Sequence, residues 1–317
     1  MKQTVKPRQI IMSKRANVFY LEHVRVQQKD ERVVYLTEQD NTTEHFFNIP
    51  ERNTAFLLLG KGTSITDAAI RRLADSNVVI GFVGNGGSPL LGSVDMAFLT
   101  PQSEYRPTEY MQAWMRMWLD EEKRLGVAKS FQKERIRWVR ESWDANADLA
   151  ALKLRLPDAA IRSYEGRIAA ATNTIELMSG EAEWARRLYG LLSGAFGLKE
   201  FRREEGKRSR STLQDSANSF IDHGNYIAYG YAAVALNVLG ISFALPVLHG
   251  KTRRGALVFD VADLFKDAIV LPLAFKHGKQ VSRDQQFRDE LIEVCLTHEV
   301  LDRVIETIKT TLEERPS

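Results

Sequence analysis

The sequence is short of cysteine, of long charge-free runs and of net charge, and each scarcity excludes something. One cysteine in 317 residues, Cys295, rules out an intrachain disulfide and any cysteine-rich zinc site. The setting expected for such a chain is the reducing cytoplasm. The N-terminal stretch MKQTVKPRQIIMSKR has no long apolar region, so no secretory signal is expected. One uncharged stretch, residues 226–248 (YIAYGYAAVALNVLGISFALPVL), has the length to span a bilayer. Asn237, Gly240, Ser242 and Pro246 interrupt it, and Leu239-Gly240 reads as a helix stop followed by a turn. The stretch is therefore read as a buried core helix, not a membrane span. The formal net charge is only +3, so affinity for nucleic acid has to come from local basic clusters. What is present, 44% hydrophobic and 27% charged residues, fits a soluble globular chain long enough for two domains.

The first third reads as strands. Residues 17–26 (NVFYLEHVRV), 32–37 (RVVYLT) and 45–49 are short, partly alternating and rich in β-branched and aromatic side chains. AFLLL at 55–59 is an apolar run closed by Gly-Lys-Gly, Ser64 and Thr66 offer N-caps for a helix over 67–74, and VVIGFV at 78–83 reads as a buried strand. A polar, proline-containing connector, PQSEYRPTEY, follows from Pro101. Beyond it a 3.6-residue period predicts helices over 111–139, 159–178, 181–196, 226–239, 261–275 and 289–312. The charged segment 199–211 (KEFRREEGKRSRS), broken by Gly206, reads as a mobile surface loop. The expectation is an α+β chain, with a β-rich domain over 1–98 and an all-α domain over 99–317.

The densest chemistry lies at 249–263, HGKTRRGALVFDVAD. It packs one imidazole, three basic side chains and two carboxylates into fifteen residues. Upstream, in GEAEWARRLYGLL, two glutamates compete. Glu181 shares a helical face with Trp184, Ala185, Leu188 and Tyr189. A carboxylate on that inward face is costly unless a metal or a cation pairs with it. The plainer reading is an acid in a first turn, complementing the helix dipole. Glu183 instead faces Arg186 and Arg187 and reads as a solvated ion-pair partner. His249 is a candidate ligand or a hydrogen-bonded structural histidine. Asp260, after the strand-like run ALVF, and Asp263 either form a capping box or reach one ion from a helix start. Asp267 continues the stripe and reads as a surface residue. Such a donor set, one imidazole and oxygen ligands without thiolate, favours Mg2+ or Mn2+ over zinc. Lys251, Arg253 and Arg254 are placed to bind backbone phosphates, or are a plain charged loop. Trp114, Trp118, Trp138 and Trp143, interleaved with cations, are read as core more than as base-stacking platforms.

These residues resemble the universal CRISPR adaptation integrase family, whose members are metal-dependent DNA endonucleases that insert new spacers into CRISPR arrays. The resemblance covers nearly the whole chain and is similar to the I-F variant, through SKRANVFYLEH, LLLGKGTSIT, LTPQSEYRPTEY, DHGNYIAYG and LHGKTRRGALVFDVADL. The family's glutamate motif falls on Glu181, with Arg186 and Tyr189 at the expected offsets and Ala182 where glycine is usual. Glu165-Gly166 keeps the glycine but has Ala170 and Asn173 at the positions of the arginine and tyrosine. The resemblance places the metal-binding histidine at His249 and the aspartate pair at Asp260 and Asp263. It implies a catalytic set of Glu181, His249, Asp260 and Asp263 and a metal set of Glu181, His249 and Asp263. Asn225 and Tyr229 fall where polar residues line the active-site helix and contact DNA. It further implies a β-sandwich-like N-terminal domain that forms a homodimer, and a small ferredoxin-like partner fused to a helicase–nuclease. The implied reaction is attack of a protospacer 3′-hydroxyl on a repeat phosphodiester.

Two other classes compete. A DNA-binding scaffold without turnover needs none of Glu181, His249 and Asp263. A metallohydrolase acting on a small phosphate substrate has no use for the basic run beside the site.

Overall fold

The computed structural model describes residues 14–15, 17–39, 43–83, 96–100, 108–198, 201–205, 210–250, 255–280 and 282–313. The chain divides into two compact units, one carrying the strands and the other nearly all the helices. The α+β organisation expected from the sequence, strands first and helices after, is what the structure shows.

The first unit contains two four-stranded sheets. β1 (Asn17–Leu21), β5 (Thr54–Leu59), β7 (Val79–Val83) and β8 (Met96–Leu99) form one, in the order β1-β5-β7-β8. The first three run parallel and β8 is antiparallel to β7. β5 is buried along its whole length, as a central parallel strand must be. β2 (Val24–Lys29), β3 (Arg32–Gln39), β4 (Thr43–Ile49) and the two-residue β6 (Ser64–Ile65) form the other, in the order β4-β3-β2-β6. The expected strand over 17–26 is thus two strands in different sheets. They part at His23, whose φ of 54° takes the chain out of extended geometry. α1 (Asp67–Asp75) starts at Thr66, whose hydroxyl caps the Ala69 amide. Leu21, Leu57, Leu59 and Ile80 of one sheet, Val26, Val33 and Ile49 of the other, and Ala69 and Leu73 of α1 form a single core.

The helical unit begins with α2 (Glu109–Trp118) and α3 (Glu121–Ala145). The sequence predicted one helix here. Asp120 divides it, because its carboxylate accepts from the Glu122 and Lys123 amides and starts a new helix. α4 (Ala147–Ala151) and α5 (Asp158–Ala170) follow. α6 (Thr174–Phe196) is capped by Asn173 and ends at Gly197, whose φ is 74°. α7 (Leu213–Val238) opens with a capping box between Thr212 and Asp215 and is buried almost throughout. It stops where Leu239 and Gly240 end it, with Gly240 at φ 67°, so residues 226–238 are a core helix. Among the described residues no helix is long and apolar enough to cross a membrane.

α8 (Ala256–Ala262) and α9 (Lys266–Gln280) replace the single helix predicted over 261–275, and the apolar run before Asp260 is helical, not extended. α9 packs closely on α7. A Cβ added at Gly278 would lie 2.7 Å from the Cα of Ala217, so only glycine allows this approach. α10 (Asp284–Thr297) and α11 (Val300–Glu313) complete the unit. The segment 199–211, read as a surface loop, has its described residues Arg202, Glu204, Glu205 and Ser211 exposed, and three others make contacts with the helices. Phe201 sits 4.7 Å from the Phe275 ring, Arg203 pairs with Asp222 and bonds Asn218, and Arg210 bonds Ser219.

Candidate metal centre

Four helices and one loop bring the candidate residues together in the helical unit. Glu181 comes from α6, His249 from the loop after α7, Asp260 from α8 and Asp263 from its C-cap. α3 adds Arg135 and α9 adds Lys266 and Asp267. α6 starts seven residues before Glu181, so this acid lies beyond the first turn where the helix dipole acts. Its inward face is the one the sequence indicated, with Trp184 and Leu188 both buried.

Three donor atoms converge. His249 Nε2 lies 3.9 Å from Glu181 Oε2 and 3.8 Å from Asp263 Oδ2. One ligand atom from each of these residues falls within 4.8 Å of the others. The remaining oxygens are held by cations. Arg135 Nη1 donates to Glu181 Oε1 at 2.6 Å, and Lys266 Nζ pairs with Asp263 Oδ1. Asp263 is 2% exposed, yet neither of its oxygens accepts a well-aligned hydrogen bond. A buried carboxylate of that kind, beside an imidazole nitrogen and a second carboxylate oxygen, fits a hard divalent cation.

Asp260 does not face this centre. Its Oδ2 accepts from the Val247 and Leu248 amides at 2.7 and 3.1 Å, and its Oδ1 accepts from the His249 amide at 2.9 Å. The same Oδ1 lies 2.6 Å from His249 Nδ1. An ionised carboxylate only accepts, so Nδ1 carries the proton and Nε2 points to the cluster. Asp260, expected in the catalytic set, meets three backbone amides and His249 Nδ1 with its two oxygens, an arrangement suited to orienting His249. The capping-box alternative falls, because Gly255 is the N-cap of α8 and Asp260 lies inside the helix.

Arg135 is the residue that the sequence reading missed. Its guanidinium, 2% exposed, donates from Nε to Asp267 Oδ2 and from Nη1 to Glu181, both at 2.6 Å, and lies 3.9 Å from Asp263. Gln132 accepts from it at 3.4 Å and in turn accepts from the Tyr164 hydroxyl at 2.6 Å. Asp267, expected at the surface, is 2% exposed and belongs to this network. A signal was available: Phe131, Gln132, Trp138 and Val139 place Arg135 in the middle of a buried stripe, where a cation must find anionic partners. Glu183 pairs with Arg167 on α5, and the sequence had paired it with Arg186 and Arg187.

The electrostatics follow from this packing. Burial pulls the His249 imidazole down, but the Asp260 hydrogen bond and the charges of Asp263, Asp260 and Glu181 outweigh it and lift the ring to about 8. Burial raises Glu181 against the pull of Arg135. Burial opposes ionisation of Asp263 too, but Lys266, Arg135 and His249 hold it well below the usual carboxylate range.

Asn225 and Tyr229 lie one turn apart on α7, both half-buried. Tyr229 meets Phe259 edge-on at 4.6 Å, and its hydroxyl is among the groups that raise Lys266. Trp114, Trp138 and Trp143 are core, as expected. Lys251, Arg253 and Arg254 lie outside the described residues.

A buried imidazole–carboxylate cluster on a helical unit, in a chain that also carries a small two-sheet unit, defines a candidate metal-binding protein. The family model described as CRISPR associated protein Cas1 matches residues 19–310. The CRISPR-associated endonuclease Cas1 of Pseudomonas aeruginosa is 46% identical over 313 residues, covering 95% of this chain and 94% of that one. That of Pectobacterium atrosepticum is 43% identical over 308 residues, covering 95% and 93%. A crystal structure of a TtCas1–DNA complex superposes with a TM-score of 0.65 at 23% identity, covering 95% of each chain. The chain belongs to the Cas1 family.

Proposed function

We propose that this protein is a metal-dependent DNA endonuclease and integrase of CRISPR adaptation, of the I-F-like form, working in the cytoplasm with Glu181, His249 and Asp263 around one Mg2+ or Mn2+ ion. The observation that carries the reading is the convergence of His249 Nε2, Glu181 Oε2 and Asp263 Oδ2. Bound there, the ion would supply Lewis-acid stabilisation of charge on a phosphodiester and activation of a hydroxyl.

The chain's own residues prepare that chemistry. Asp260 fixes the His249 tautomer through Nδ1. Arg135 and Lys266 each hold one oxygen of a ligand carboxylate, which leaves the other oxygen directed inward and offsets the repulsion between Glu181 and Asp263. Lys251, Arg253 and Arg254 follow His249 directly in the sequence and would contact DNA phosphates, with Asn225 and Tyr229 along α7. In integration, the 3′-hydroxyl oxygen of the incoming DNA bonds to a repeat phosphorus. The bond from that phosphorus to the adjoining 3′ oxygen breaks, leaving a new 3′-hydroxyl. The reading includes a homodimer formed through the β unit and a ferredoxin-like partner fused to a helicase–nuclease. The DNA-bound relative among the structures supports DNA as the substrate.

The test is cleavage and strand transfer on branched DNA, with and without Mn2+, comparing wild type with Glu181→Ala. Turnover that needs both the metal and Glu181 is the expected result. Tight DNA binding with no metal-dependent turnover, even with the partner added, would make the protein a scaffold.

A further inference from the structure

We propose that α2 positions the metal-binding histidine, acting through the indole N–H groups of Trp114 and Trp118. This rests on the reading of Glu181, His249 and Asp263 as a metal centre. Trp114 Nε1 donates to the Leu245 carbonyl at 3.1 Å, and Trp118 Nε1 donates to the Pro246 carbonyl at 2.7 Å. The next three residues, Val247, Leu248 and His249, give their amides to Asp260. Two successive carbonyls and three successive amides are therefore held, the carbonyls by α2 and the amides by α8. Pro246 has no amide to place. The peptide that carries His249 has little freedom left, although it lies in a loop, where backbone groups are otherwise free to exchange with water.

The two tryptophans are four residues apart, so their indoles lie along one face of α2 and reach consecutive carbonyls. Burial alone does not require this. Trp138 and Trp184 are buried with indole nitrogens that have no hydrogen-bond partner, so these cores accept the ring without using its donor. Trp118 is itself braced: Arg124 donates to its carbonyl at 2.9 Å and lies 5.3 Å from its ring centroid. Asp260 sets the ring and the tautomer of His249, and α2 sets the approach of the chain that delivers it. Releasing α2 lets Nε2 drift from the position it shares with Glu181 and Asp263, and donor placement within about 0.5 Å is what a metal site requires.

The test is Mn2+ binding to the full chain, read by the paramagnetic signal of the free ion. Trp118→Phe keeps an aromatic side chain, smaller than the indole, and loses the donor. It is expected to weaken Mn2+ binding about five-fold, the change that one net hydrogen bond produces. Met117→Ala, a cavity in the same helix at a buried side chain that has no donor for either carbonyl, is expected to lower stability and leave Mn2+ affinity within about two-fold of wild type. Equal affinities for wild type and Trp118→Phe would overturn the proposal and leave the metal centre standing. So would an equal loss in Met117→Ala, since α2 would then act through fold stability alone. A wild type that binds no Mn2+ would overturn the metal reading itself, and this proposal with it. Should Trp118→Phe fail to fold, amide exchange in the wild type decides. The Val247, Leu248 and His249 amides are expected to open together with those of α2, and exchange uncoupled from α2 would refute the tether.

Discussion

Replacing Asp260 by asparagine changes one atom type and removes one charge, yet the structure predicts a large effect at a centre this residue does not face. The carboxylate takes four donors: the amides of Val247, Leu248 and His249, and His249 Nδ1. An asparagine amide keeps one acceptor oxygen and turns an NH2 towards donors that have no other partner. The loss includes a charge-assisted bond of about 1.5–3 kcal/mol and at least one stranded buried donor costing about 1–3 kcal/mol. Metal affinity is expected to fall about 10–100-fold, the usual effect of removing the carboxylate behind a ligand histidine.

A second readout needs no metal. The folded His249 ring sits at about 8, above an unfolded value of about 6.5. Its contribution to stability is therefore fully present below about pH 6.5 and is lost as the pH rises through 8. The difference is about 2 kcal/mol. Denaturant unfolding of metal-free wild type should show this loss between pH 6 and 9, and Asp260→Asn should flatten it. An Asp260→Asn protein with wild-type Mn2+ affinity and an unchanged pH profile would refute the positioning role.

Arg135→Met strands Glu181, Asp263 and Asp267 in a buried site and should cost about 3–5 kcal/mol by chemical denaturation, with added Mn2+ restoring part of the loss. Glu183→Gln breaks only a half-exposed pair with Arg167, so DNA cleavage should stay near wild type; an inactive variant would mean that the wrong glutamate had been chosen. Gly278→Ala drives a methyl into the backbone at Ala217 and should destabilise by about 1–3 kcal/mol, seen as a lower Tm with an unchanged metal site.

Much of this protein was legible before any coordinates. Periodicity separated a strand-rich third from a helical remainder because alternation and the 3.6-residue repeat are local properties of the chain. The inward face of Glu181 followed from the apolar side chains three, four and seven residues on, and the helix stop at Gly240 from local turn chemistry. Boundaries were less legible. Asp120 and Asn173 start new helices inside periodic stretches because a capping side chain outweighs a continuing apolar pattern.

By itself, then, the sequence determined the class of fold, the chemistry of the donor set and, through resemblance, the family. Tertiary structure alone decided how the charges are divided. Arg135 lies 46 residues before Glu181 and 132 before Asp267, and no local pattern joins them. The same holds for Asp260, which in sequence is one of a matched pair of aspartates. The fold turns three backbone amides and an imidazole N–H towards it, and a carboxylate occupied by four donors has no lone pair left for the centre.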